Sequence, residues 1–587
     1  MPLHVKRWQI APPISSRHAV RFPHLHPITV QVLHNRGITD PADVAAFLDG
    51  KGSRASEENP FALNDMDAAV TRLRRALRSG EPIVVYGDYD ADGITATALL
   101  VQALRALGGL VRPYIPNRRQ GYGLHKEVLA QLAHEDVRVV VTVDCGTRAS
   151  EEIMHAQQVG LDVIVTDHHD VDRRLPQAVA VINPKRSDNR YLFKGLAGVG
   201  IAYKLAQALL RTHRQVPVTR QEVHLEEDDL LDLVALGTVV DVAPLLGENR
   251  TLVARGLACI NRMERPGVEA LCRHSGLRSG GVDAAAISYV LGPRLNAAGR
   301  LDQAEKAYQL LETRYPAEAE RLAEELNQMN RTRQQLTLEA QERALQIALA
   351  EGDEVPLLFA ADPDFPIGIA GLVASRLVDE FYRPAVIVKV GRKKSHGSAR
   401  SIEEFNITQA LDHCTQLLSR HGGHATAAGF TLPSKNLDKL SDRLRRLAAE
   451  KLVDVELAPT LKVDAEVELS QMTWALQQEL AQLEPCGHDN PPPLFISRSA
   501  HLKYQWAVGN GKHLKLKFID GDSTWEGIAF RQGDWAGKLP DQVDIAYHLE
   551  VNDWHNRRQL QLNVQDIRPA ANDDRPRLRV HQKAEDS

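Results

Sequence analysis

The sequence predicts an α/β protein with a doubly wound parallel-sheet domain, a long bridging helix, a second α/β domain and a C-terminal OB-fold-like β-domain. Three patterns support this architecture. Short apolar, β-rich runs alternate with helical stretches from residue 82 onwards, which is typical of parallel sheets covered by helices. Residues 316–350 keep a helical spacing of apolar side chains, with no Gly or Pro after Pro316. Beyond residue 460, apolar and polar residues alternate as they do in antiparallel strands.

Changes in these patterns divide the 587 residues into six segments, since single domains usually hold about 100–200 residues. They are an N-terminal extension (1–75), the parallel-sheet domain (76–265), a connecting region with the long helix (266–350), the second α/β domain (351–450), the β-domain (460–570) and a polar tail expected to be disordered (571–587). The long helix would span about 50 Å, which is enough to bridge two domains.

The overall composition excludes several classes of protein. Hydrophobic residues make up 43% and charged residues 25%, and 71 Lys and Arg against 76 Asp and Glu give a net charge of −5. This balance neither supports nor excludes a nucleic-acid partner, because a basic groove can lie on an acidic body. The five cysteines have no CxxC spacing, which argues against a disulfide framework and a structural zinc site. Since neither an apolar run of 18 residues nor a signal-peptide pattern is present, we expect a cytoplasmic protein without a membrane span.

Four apolar runs are expected to form the strands of the first sheet. They cover residues 83–87, 137–143, 161–166 and 179–183. Ligands of doubly wound sheets bind beyond the carboxyl ends of the strands. The polar residues that directly follow these runs are therefore the first candidates for chemistry.

The first of these runs leads into GDYDADG, in which Asp88, Asp90 and Asp92 occupy every second position. Several carboxylate oxygens on one side of a turn suit a hard divalent cation. Gly93 permits a tight passage into the following helix. The EF-hand calcium loop opens with a similar pattern, but it requires Glu at its twelfth position, where this sequence has Leu99. An EF-hand loop also follows a helix, whereas the GDYDADG loop follows a predicted strand.

Two further strand ends carry side chains of the same kind. One run ends before Asp144, and another leads into Asp167, His168 and His169. A lone Asp after a strand is usually a turn or capping residue, and a lone His is usually structural. Three such ends on one rim of a sheet favour a shared metal site instead. A fourth apolar segment, LLDLVALGTVVDVAP, carries Asp241, a charge that is expensive to bury unless it is paired or metal-bound.

The ordered set of motifs resembles the DHH phosphoesterase superfamily. GDYDADG, DCG, DHH and the Asp of GTVVDVAP match its four metal-binding motifs in order. Together with LGPRLNAAGRL at 291–301 and GGHATAAGF at 422–430, they are similar to the bacterial RecJ family of single-stranded-DNA-specific exonucleases. The similarity covers roughly residues 75–570. The resemblance implies that the first α/β domain is a DHH catalytic domain and the second a DHH-associated substrate-binding domain.

The resemblance also implies how five side chains bind two divalent cations. Asp90 and Asp144 would hold one cation. Asp92, His168 and Asp241 would hold the other, with Asp144 bridging the two. Mixed carboxylate and imidazole ligands favour Mn²⁺, whereas Mg²⁺ prefers oxygen ligands alone. Both cations remain candidates. Two cations about 4 Å apart would activate a shared water and neutralise the charge that develops at phosphorus.

Three neighbours of these ligands are expected to act in catalysis without binding metal themselves. Asp88 and His169 would steady the ligands or the reactive water, and Asp167 would orient an imidazole. The sequence contains neither a GxSxG elbow nor a Walker-type phosphate loop, so acyl-enzyme and ATPase chemistry lack support.

A second group of residues is expected to bind phosphates of the substrate. His396, Ser398 and Arg400 lie in SHGSARS just after a predicted strand, and His424 lies on a glycine-rich turn. Such turns expose backbone N–H groups to anions, although an ordinary tight turn has the same composition. The resemblance implies that Arg400 and His424 face the metals across a cleft.

The motif PRLNAAGR supplies two more candidates for strand binding. Arg294 and Asn296 are expected to position the backbone of the strand near the same cleft. An ion pair with a surface carboxylate is the alternative for Arg294.

The C-terminal β-domain combines aromatic and basic residues. Five of the six tryptophans fall in it, among them Trp506, Trp525, Trp535 and Trp554. Lysines and arginines lie between them: Lys503, Lys512, Lys515, Lys517, Arg531, Arg557 and Arg558. Aromatics that stack on bases beside cations that bind phosphates are typical of a single-strand binder, although each Trp alone suits the core of a small barrel. The combination favours single-strand binding.

The motifs thus predict a metal-dependent phosphodiester hydrolase. The resemblance implies a 5′→3′ exonuclease that acts on single-stranded DNA, releases 5′-mononucleotides and works in DNA recombination and repair alongside the single-strand-binding protein and a helicase. One alternative is a DHH phosphodiesterase of short oligonucleotides or cyclic dinucleotides, but such chains usually lack the β-domain and the long helix. The other is a non-catalytic DNA-binding scaffold, which would have lost metal ligands that are all present here.

Overall fold

The computed structural model of the chain describes residues 6–49, 57–118, 120–350, 352, 355–554 and 557–570. Within these ranges, no helix combines the length and the apolar character needed to cross a membrane. The tail 571–587, which is predicted to be disordered, lies outside the described residues. The chain folds into two compact units, one of Met1–Gly50, Ala458–Cys486 and Asn490–Ser587, and the other of Lys51–Leu457 and Gly487–Asp489.

The N-terminal elements belong to the same unit as the C-terminal β-domain. They are β1 (Arg7–Ile10), α1 (Ser16–Ala19), α2 (Pro27–Asn35) and α3 (Pro41–Asp49). β1 pairs in parallel with residues 460–463 of the same unit. Val32 and Leu33 of α2 share a hydrophobic core with strands of the β-domain. The segment 1–75, expected to be an N-terminal extension, is therefore divided between the two units.

The second unit contains the predicted doubly wound sheet. Its elements are α4 (Met66–Ser79), β2 (Ile83–Tyr86), α5 (Ala91–Ala106), β3 (Val111–Tyr114), α6 (Lys126–His134), β4 (Val139–Val143), α7 (Ser150–Gln158), β5 (Asp162–Thr166), β6 (Ala180–Ile182) and α8 (Gly198–Gln215). Five parallel strands lie in the order β3-β2-β4-β5-β6. Helices α4, α5 and α8 cover one face and α6 and α7 the other, which explains why β2 and β4 are buried throughout. The sequence did not predict β3, a short edge strand that contains Pro113.

A helical region connects the two sheets. Its helices are α9 (Leu231–Val240), α10 (Gly247–Arg262), α11 (Pro266–His274), α12 (Ala284–Ala286), α13 (Gly292–Arg300), α14 (Ala304–Glu312) and α15 (Pro316–Ala348). Residues Ile287–Leu291 form a π-helical turn between α12 and α13. α9 is apolar on nearly every side and lies in the main core. α15, with 33 residues, confirms the predicted long helix.

The second α/β domain contains a mixed sheet. Its elements are β7 (Leu358–Asp362), α16 (Ala370–Phe381), β8 (Ala385–Lys389), β9 (Lys394–Arg400), α17 (Ile407–Asp412), β10 (Arg420–His424), β11 (Ala427–Pro433) and α18 (Leu437–Leu452). The strand order is β10-β11-β9-β8-β7, and only β7 and β8 run parallel. SHGSARS follows β8, as expected, and it also forms a strand itself, β9, which pairs with β8 and β11 on its two sides. His396, Ser398 and Arg400 are two residues apart and therefore share one face of β9.

The C-terminal part forms the predicted OB-fold-like domain. Its elements are β12 (Thr460–Val463), β13 (Ala465–Glu466), α19 (Trp474–Leu480), β14 (Phe495–Val508), β15 (His513–Asp520), β16 (Ser523–Ala529), β17 (Gln542–Trp554) and β18 (Arg557–Pro569). The last five strands lie in the order β14-β15-β16-β18-β17, and β17 pairs back onto β14 to close a barrel. Leu514, Leu516 and Phe518 alternate inward along β15, as the sequence pattern predicts.

Candidate metal centre and strand-binding cleft

Asp and His side chains from three strand ends and one helix end meet at one rim of the parallel sheet. Asp88 follows β2, Asp144 directly follows β4, His168 lies just beyond β5, and Asp241 caps α9. Their ligand atoms form three groups, in each of which all atoms lie within 4.8 Å of one another: Asp88, Asp90 and Asp144; Asp92, His168 and Asp241; and Asp144, His168 and His169. The structure thus brings together all five residues expected to bind the cations.

The N-terminus of α5 shapes the GDYDADG loop. Asp90 caps this helix, because its Oδ1 accepts a hydrogen bond from the Gly93 N–H at 3.0 Å. In the same turn, the backbone N–H of Ala91 donates a hydrogen bond to Asn296 Oδ1 at 2.9 Å. A Cβ at position 93 would lie 2.6 Å from the Asp88 nitrogen, so only glycine fits where the loop folds back. The predicted Asn296 therefore positions the loop that carries the carboxylates.

Asp92 is buried on the first turn of α5, with 1% of its surface exposed. Its Oδ2 accepts a hydrogen bond from the Gly198 N–H at 2.7 Å, and its Oδ1 accepts one from the Val199 N–H at 2.8 Å. These donors lie at the N-terminus of α8, a favourable place for an anion. Burial and the charge of Asp90 nevertheless raise the pKa of Asp92 to about 7. Asp92 is thus held in place beside other carboxylates that repel it.

Asp144 combines backbone strain with burial. Its φ of 61° lies in the left-handed region, which few residues other than glycine adopt. Gly198 approaches so closely that a Cβ there would lie 2.6 Å from the Asp144 Cβ. Burial and the surrounding carboxylates, Asp92 foremost, raise the pKa of Asp144 well above its usual value. Strain and charge repulsion at one side chain are typical of functional sites.

Two atoms at the centre of the site lie close together without a hydrogen bond. His168 Nε2 is 3.0 Å from Asp144 Oδ1, yet both are buried and lack a hydrogen-bond partner among the described residues. Asp88 Oδ1 lacks one in the same way. Buried polar atoms are otherwise almost always hydrogen-bonded. Burial lowers the pKa of His168 to about 4, so its imidazole is neutral and keeps a lone pair for a metal. These residues fit a divalent cation.

Asp241 reaches the site from the C-terminal end of α9. Its Oδ2 lies 3.8 Å from His168 Nδ1. Burial and the charge of Asp92 raise the pKa of Asp241 to about 9. Because α9 is buried and otherwise apolar, this carboxylate is presented by a rigid element of the core.

Asp167 and His169 form a hydrogen-bonded pair beside these ligands. Asp167 Oδ1 accepts hydrogen bonds from the backbone N–H groups of His168 and His169 at 2.8 and 3.1 Å, and from His169 Nδ1 at 2.8 Å. Burial opposes ionisation, but these hydrogen bonds and the charge of His169 lower the pKa of Asp167 below its usual value. Tyr122, which was not predicted from the sequence, donates to the Asp144 carbonyl at 3.2 Å. Its hydroxyl oxygen also lies 3.1 Å from His169 Nδ1.

A cleft of about 1110 Å³ adjoins the site and is lined by both α/β domains. His168, His169 and Asp241 belong to its lining. Its basic side chains come from the parallel-sheet domain and from β10: Arg148, Lys185, Lys194, Arg420, His421 and His424. Of these six, only His424 was predicted, since no motif distinguishes the others from ordinary surface cations. A basic cleft beside a metal site suits a polyanion.

A smaller cavity of about 220 Å³ lies against the carboxylates. Asp90, Asp92, Asn296, Arg118 and Arg300 contribute to its lining. The Arg118 guanidinium lies 4.3 Å from the centre of the Tyr89 ring. Burial and the charge of Arg118 lower the pKa of Arg300 to about 10. Neither arginine was predicted, although Arg300 is the last residue of PRLNAAGR and that motif was the available signal.

The three predicted residues of β9 lie outside the linings of both cavities. His396 Nδ1 is 3.1 Å from the hydroxyl of Thr431, which does line the large cleft. Ser398 is paired with Gly429, another lining residue. Arg400 lies near the start of α16, where a Cβ on Gly371 would be 3.0 Å from its Nη2. These side chains are thus neighbours of the cleft.

Arg294 lines neither cavity. Its Nε donates a hydrogen bond to Asn327 Oδ1 at 3.2 Å, and its Nη1 donates one to the Val290 carbonyl at 2.6 Å. Among the described residues it forms no ion pair with a carboxylate, so the alternative of a surface ion pair is not realised. Its guanidinium is directed towards α15 instead.

Comparison with known protein families divides the chain in the same order as these domains. The family described as "DHH family, N-terminal domain" matches residues 82–238. The "DHHA1 domain" matches residues 354–450, and the "RecJ OB domain" matches residues 463–566. The first match contains the loop and strand ends of the metal site, and the second contains β9 and β10.

Curated proteins and solved structures are similar over almost the whole chain. The single-stranded-DNA-specific exonuclease RecJ of Escherichia coli is 36% identical over 92% of this chain and 99% of its own length. RecJ of Bacillus subtilis is 34% identical over 95% of this chain and 70% of its own length. The crystal structure of Thermus thermophilus RecJ in complex with Mn²⁺ superposes with a TM-score of 0.81 at 31% identity, covering 96% of this chain and 80% of that chain. The chain therefore belongs to the RecJ family of single-stranded-DNA-specific exonucleases.

Proposed function

We propose that this chain is a metal-dependent exonuclease that degrades single-stranded DNA from the 5′ end and releases 5′-mononucleotides. The observation that carries the proposal is the pair of buried, unpartnered atoms His168 Nε2 and Asp144 Oδ1 beside a basic cleft. A cation site next to a groove for a polyanion is the arrangement that phosphodiester hydrolysis requires. Membership of the RecJ family supports single-stranded DNA as the substrate, because its curated members carry that specificity in their names.

Five side chains would hold two divalent cations. Asp90 and Asp144 suit one cation, and Asp92, His168 and Asp241 suit the other, with Asp144 shared; the grouping of their ligand atoms supports this division. Mn²⁺ and Mg²⁺ are both candidates, since RecJ of Thermus thermophilus has been solved in complex with each. When bound, such cations supply an activated water and neutralise the charge that develops at phosphorus.

The neighbours of the ligands would orient the reacting groups. Asp167 accepts a hydrogen bond from His169 Nδ1, which fixes the orientation of that imidazole and leaves Nε2 for another partner. Because His169 lines the cleft, its Nε2 would hydrogen-bond the phosphate under attack. Asp88 is 4% exposed and would steady the loop between itself and Asp92.

Cations on two domains would bind the phosphates on either side of the scissile bond. Lys185 of the DHH domain and His424 of the DHHA1 domain line the same cleft, which supports a strand held between them. Asn296 would act in the small cavity, where it both lines the wall and holds the metal loop. His396, Ser398 and Arg400 would extend this phosphate-binding surface along β9, and Arg294 would extend it along α13.

The β-domain would supply sequence-independent affinity for a single strand. Tyr504 and Trp506 of β14 are 52% and 41% exposed, and they lie opposite Lys517 and Lys515 of β15. Paired residues share a face of a sheet, so the two aromatic and the two lysine side chains lie on one face, where the Lys515 ammonium also contacts Glu526 at 3.2 Å. Stacking rings beside cations bind single strands without reading their sequence.

The other tryptophans of this domain have different surroundings. Trp525 and Trp535 pack against the core of the barrel, as the alternative interpretation for single tryptophans predicted. The side chain of Trp554 lies outside the described residues. Tyr504, which was not singled out from the sequence, joins Trp506 on the exposed face.

The cellular role follows from the family. We infer that the chain works in DNA recombination and repair in the cytoplasm, with the single-strand-binding protein and a helicase as partners. A binding titration with purified single-strand-binding protein tests the first of these partnerships. Saturable binding in the absence of DNA would support it, and no binding would contradict it.

A digest of end-labelled DNA tests the proposed activity. With Mn²⁺ or Mg²⁺, a 5′ label should appear at once as a mononucleotide, while a 3′ label should remain on strands that shorten progressively. A blunt duplex of the same sequence should be degraded much more slowly. Release of the 3′ label first would contradict the polarity, and equal rates on the duplex would contradict the substrate. Cleavage of dinucleotides alone would favour the short-oligonucleotide phosphodiesterase instead.

A further inference from the structure

Arginines on and around α13 and α15 are left without a compensating negative charge. Among the described residues, no carboxylate pairs with any of them: Arg294, Arg300, Arg331, Arg333, Arg376 and Arg400. The hydrogen-bond acceptors of the five other than Arg331 are neutral. Arg300 donates to the Gly368 carbonyl at 3.0 Å, and Arg376 donates to the amide oxygen of Gln341 at 3.2 Å.

Several arginines elsewhere in the same unit are paired with carboxylates. Arg72 contacts Glu81 and Asp162, and Arg186 contacts Asp65 and Asp188. Removing a guanidinium from water without an anion is costly, so a partly buried arginine is normally paired with a carboxylate. The partly buried members of the group, such as Arg294 and Arg333, depart from this pattern.

Two buried asparagines of α15 hold members of this group in place. Asn327 Oδ1 accepts a hydrogen bond from Arg294 Nε at 3.2 Å, and Asn330 Oδ1 accepts one from Arg333 Nη2 at 2.8 Å. Both asparagines are 4% exposed. A neutral amide orients a guanidinium but does not cancel its charge. Arg294 and Arg333 are thus held in position and remain available to an anion.

The charges of these arginines also act on one another. Burial and the charge of Arg331 lower the pKa of Arg294. Burial and the charges of Arg376 and Arg294 lower the pKa of Arg333. Arg333 in turn contributes to the lowered pKa of Arg300, which lines the small cavity beside Asp90. Repulsion among these arginines thus links residues of α15 with Arg300 at the small cavity.

An exposed aromatic residue lies at the far end of this series. Tyr289 is 81% exposed and belongs to the π-helical turn Ile287–Leu291. Its neighbour Val290 offers the carbonyl that Arg294 Nη1 contacts at 2.6 Å. Irregular helical turns of this kind are often found at functional sites. A fully exposed ring beside unpaired arginines matches the stacking sites of single-strand binders.

We propose that Arg294, Arg331 and Arg333, with Arg376, form a phosphate track along α13 and α15 that binds the strand beyond the scissile bond, and that Tyr289 stacks on a base at its end. This inference rests on the proposed function, because its occupant is a DNA strand cut at the metal centre. The new element is the contribution of α15: the long helix binds substrate as well as connecting the two sheets.

Charge-removing changes on α15 test the track in the full-length protein. Arg331→Gln and Arg333→Gln each remove a positive charge, and both replacements keep a polar side chain that can donate a hydrogen bond. Arg321→Gln is the matched control, because Arg321 lies on the same helix but pairs with Glu325. The readout is the anisotropy of labelled single strands in EDTA, with lengths of about 3 and about 12 nucleotides, at several salt concentrations.

We expect each track variant to weaken binding of the longer strand by about threefold to tenfold and to reduce the slope of log Kd against log salt by about 0.7. The loss should be larger for the longer strand than for the short one. Tyr289→Leu should weaken long-strand binding about tenfold, and Tyr289→Phe, which keeps the ring, should restore it. Arg321→Gln should change none of these quantities.

Unchanged affinity and salt slope in both α15 variants would overturn the track, and so would an equal loss in Arg321→Gln. Failure of the proposed function is detected separately. A wild-type protein that binds the longer strand but does not cut it with Mn²⁺ would refute the exonuclease, whereas the anisotropy series would still decide whether the arginines bind the strand.

Discussion

Asn296 Oδ1 accepts a hydrogen bond from the Ala91 backbone N–H at 2.9 Å, so a side chain of α13 holds the first turn of α5. Ala91 lies between Asp90 and Asp92, and the position of both carboxylates therefore depends on a residue about 200 positions further along the chain. A residue predicted to contact the strand thus also acts on the metal site.

We expect Asn296→Ala to weaken metal binding without removing any ligand. Loss of the acceptor frees the Ala91 N–H and loosens the turn, and changes of this kind typically lower metal affinity by about 10–100-fold. Titration of the cleavage rate with Mn²⁺ measures the effect as a higher half-saturating concentration. Asn296→Asp, which keeps an acceptor oxygen, should recover part of the affinity. Equal half-saturating Mn²⁺ concentrations in Asn296→Ala and the wild type would contradict the positioning role.

Asp144→Asn should abolish cleavage and at the same time stabilise the metal-free protein. Asp144 is buried beside Asp88, Asp90 and Asp92, and removing its charge relieves their repulsion. A gain of about 1 kcal/mol corresponds to a rise in Tm of about 2–4 °C. Calorimetry in EDTA measures this rise, and added Mn²⁺ should raise the Tm of the wild type more than that of the variant.

Asp162→Asn is the control for that experiment. Asp162 is a half-exposed carboxylate of the same sheet that contacts Arg72 at 2.5 Å. Its replacement should leave cleavage intact and should not raise the Tm. If Asp144→Asn lowered the Tm in EDTA, the carboxylate repulsion inferred for the metal site would be refuted.

Trp506→Ala should weaken binding of long single strands. Stacking on one base contributes about 1–3 kcal/mol, so Kd should rise about tenfold. Trp474 supplies a closely matched control, since it lies in the same unit and is 42% exposed, against 41% for Trp506. Trp474→Ala should leave Kd unchanged in fluorescence anisotropy. Equal effects of the two substitutions would remove the strand-binding role assigned to the face of β14.

Lys204→Met should destabilise the DHH domain strongly. Lys204 and Glu248 lie 2.8 Å apart with side chains 0% and 1% exposed. Removing only the lysine leaves a buried carboxylate uncompensated, at a cost of about 3–5 kcal/mol. The double variant Lys204→Met/Glu248→Leu should recover part of the loss, as urea denaturation would show. A cost below about 1 kcal/mol for the single variant would contradict this account.

The metal site was largely predictable because its residues follow local patterns. Asp88, Asp144 and His168 each come directly after or just beyond an apolar run, and strand ends of a parallel sheet share one rim. Asp241 was recognisable as a charge in an apolar segment, which the structure shows to be the buried helix α9. The sequence pattern contains this information because each candidate ligand is adjacent in sequence to the element that presents it.

The basic surroundings of the site were not predictable in the same way. Arg118, Lys185 and Arg420 reach their cavities through tertiary packing, and nothing in their local sequence separates them from surface cations. The strand β9 was not predicted, because SHGSAR is polar and contains Gly397. Its strand conformation comes from pairing with β8 and β11, which are distant in sequence.

The parallel pairing of β1 with β12 has a consequence for the order in which the protein is made. About 450 residues separate the two strands, so at about 5–20 residues per second the ribosome finishes β1 roughly 20–90 s before β12 exists. Domains generally fold as they emerge from the ribosome, so both α/β domains are translated and can fold before the partner strand of β1 exists. β1 therefore pairs only after most of the chain that follows it has been translated.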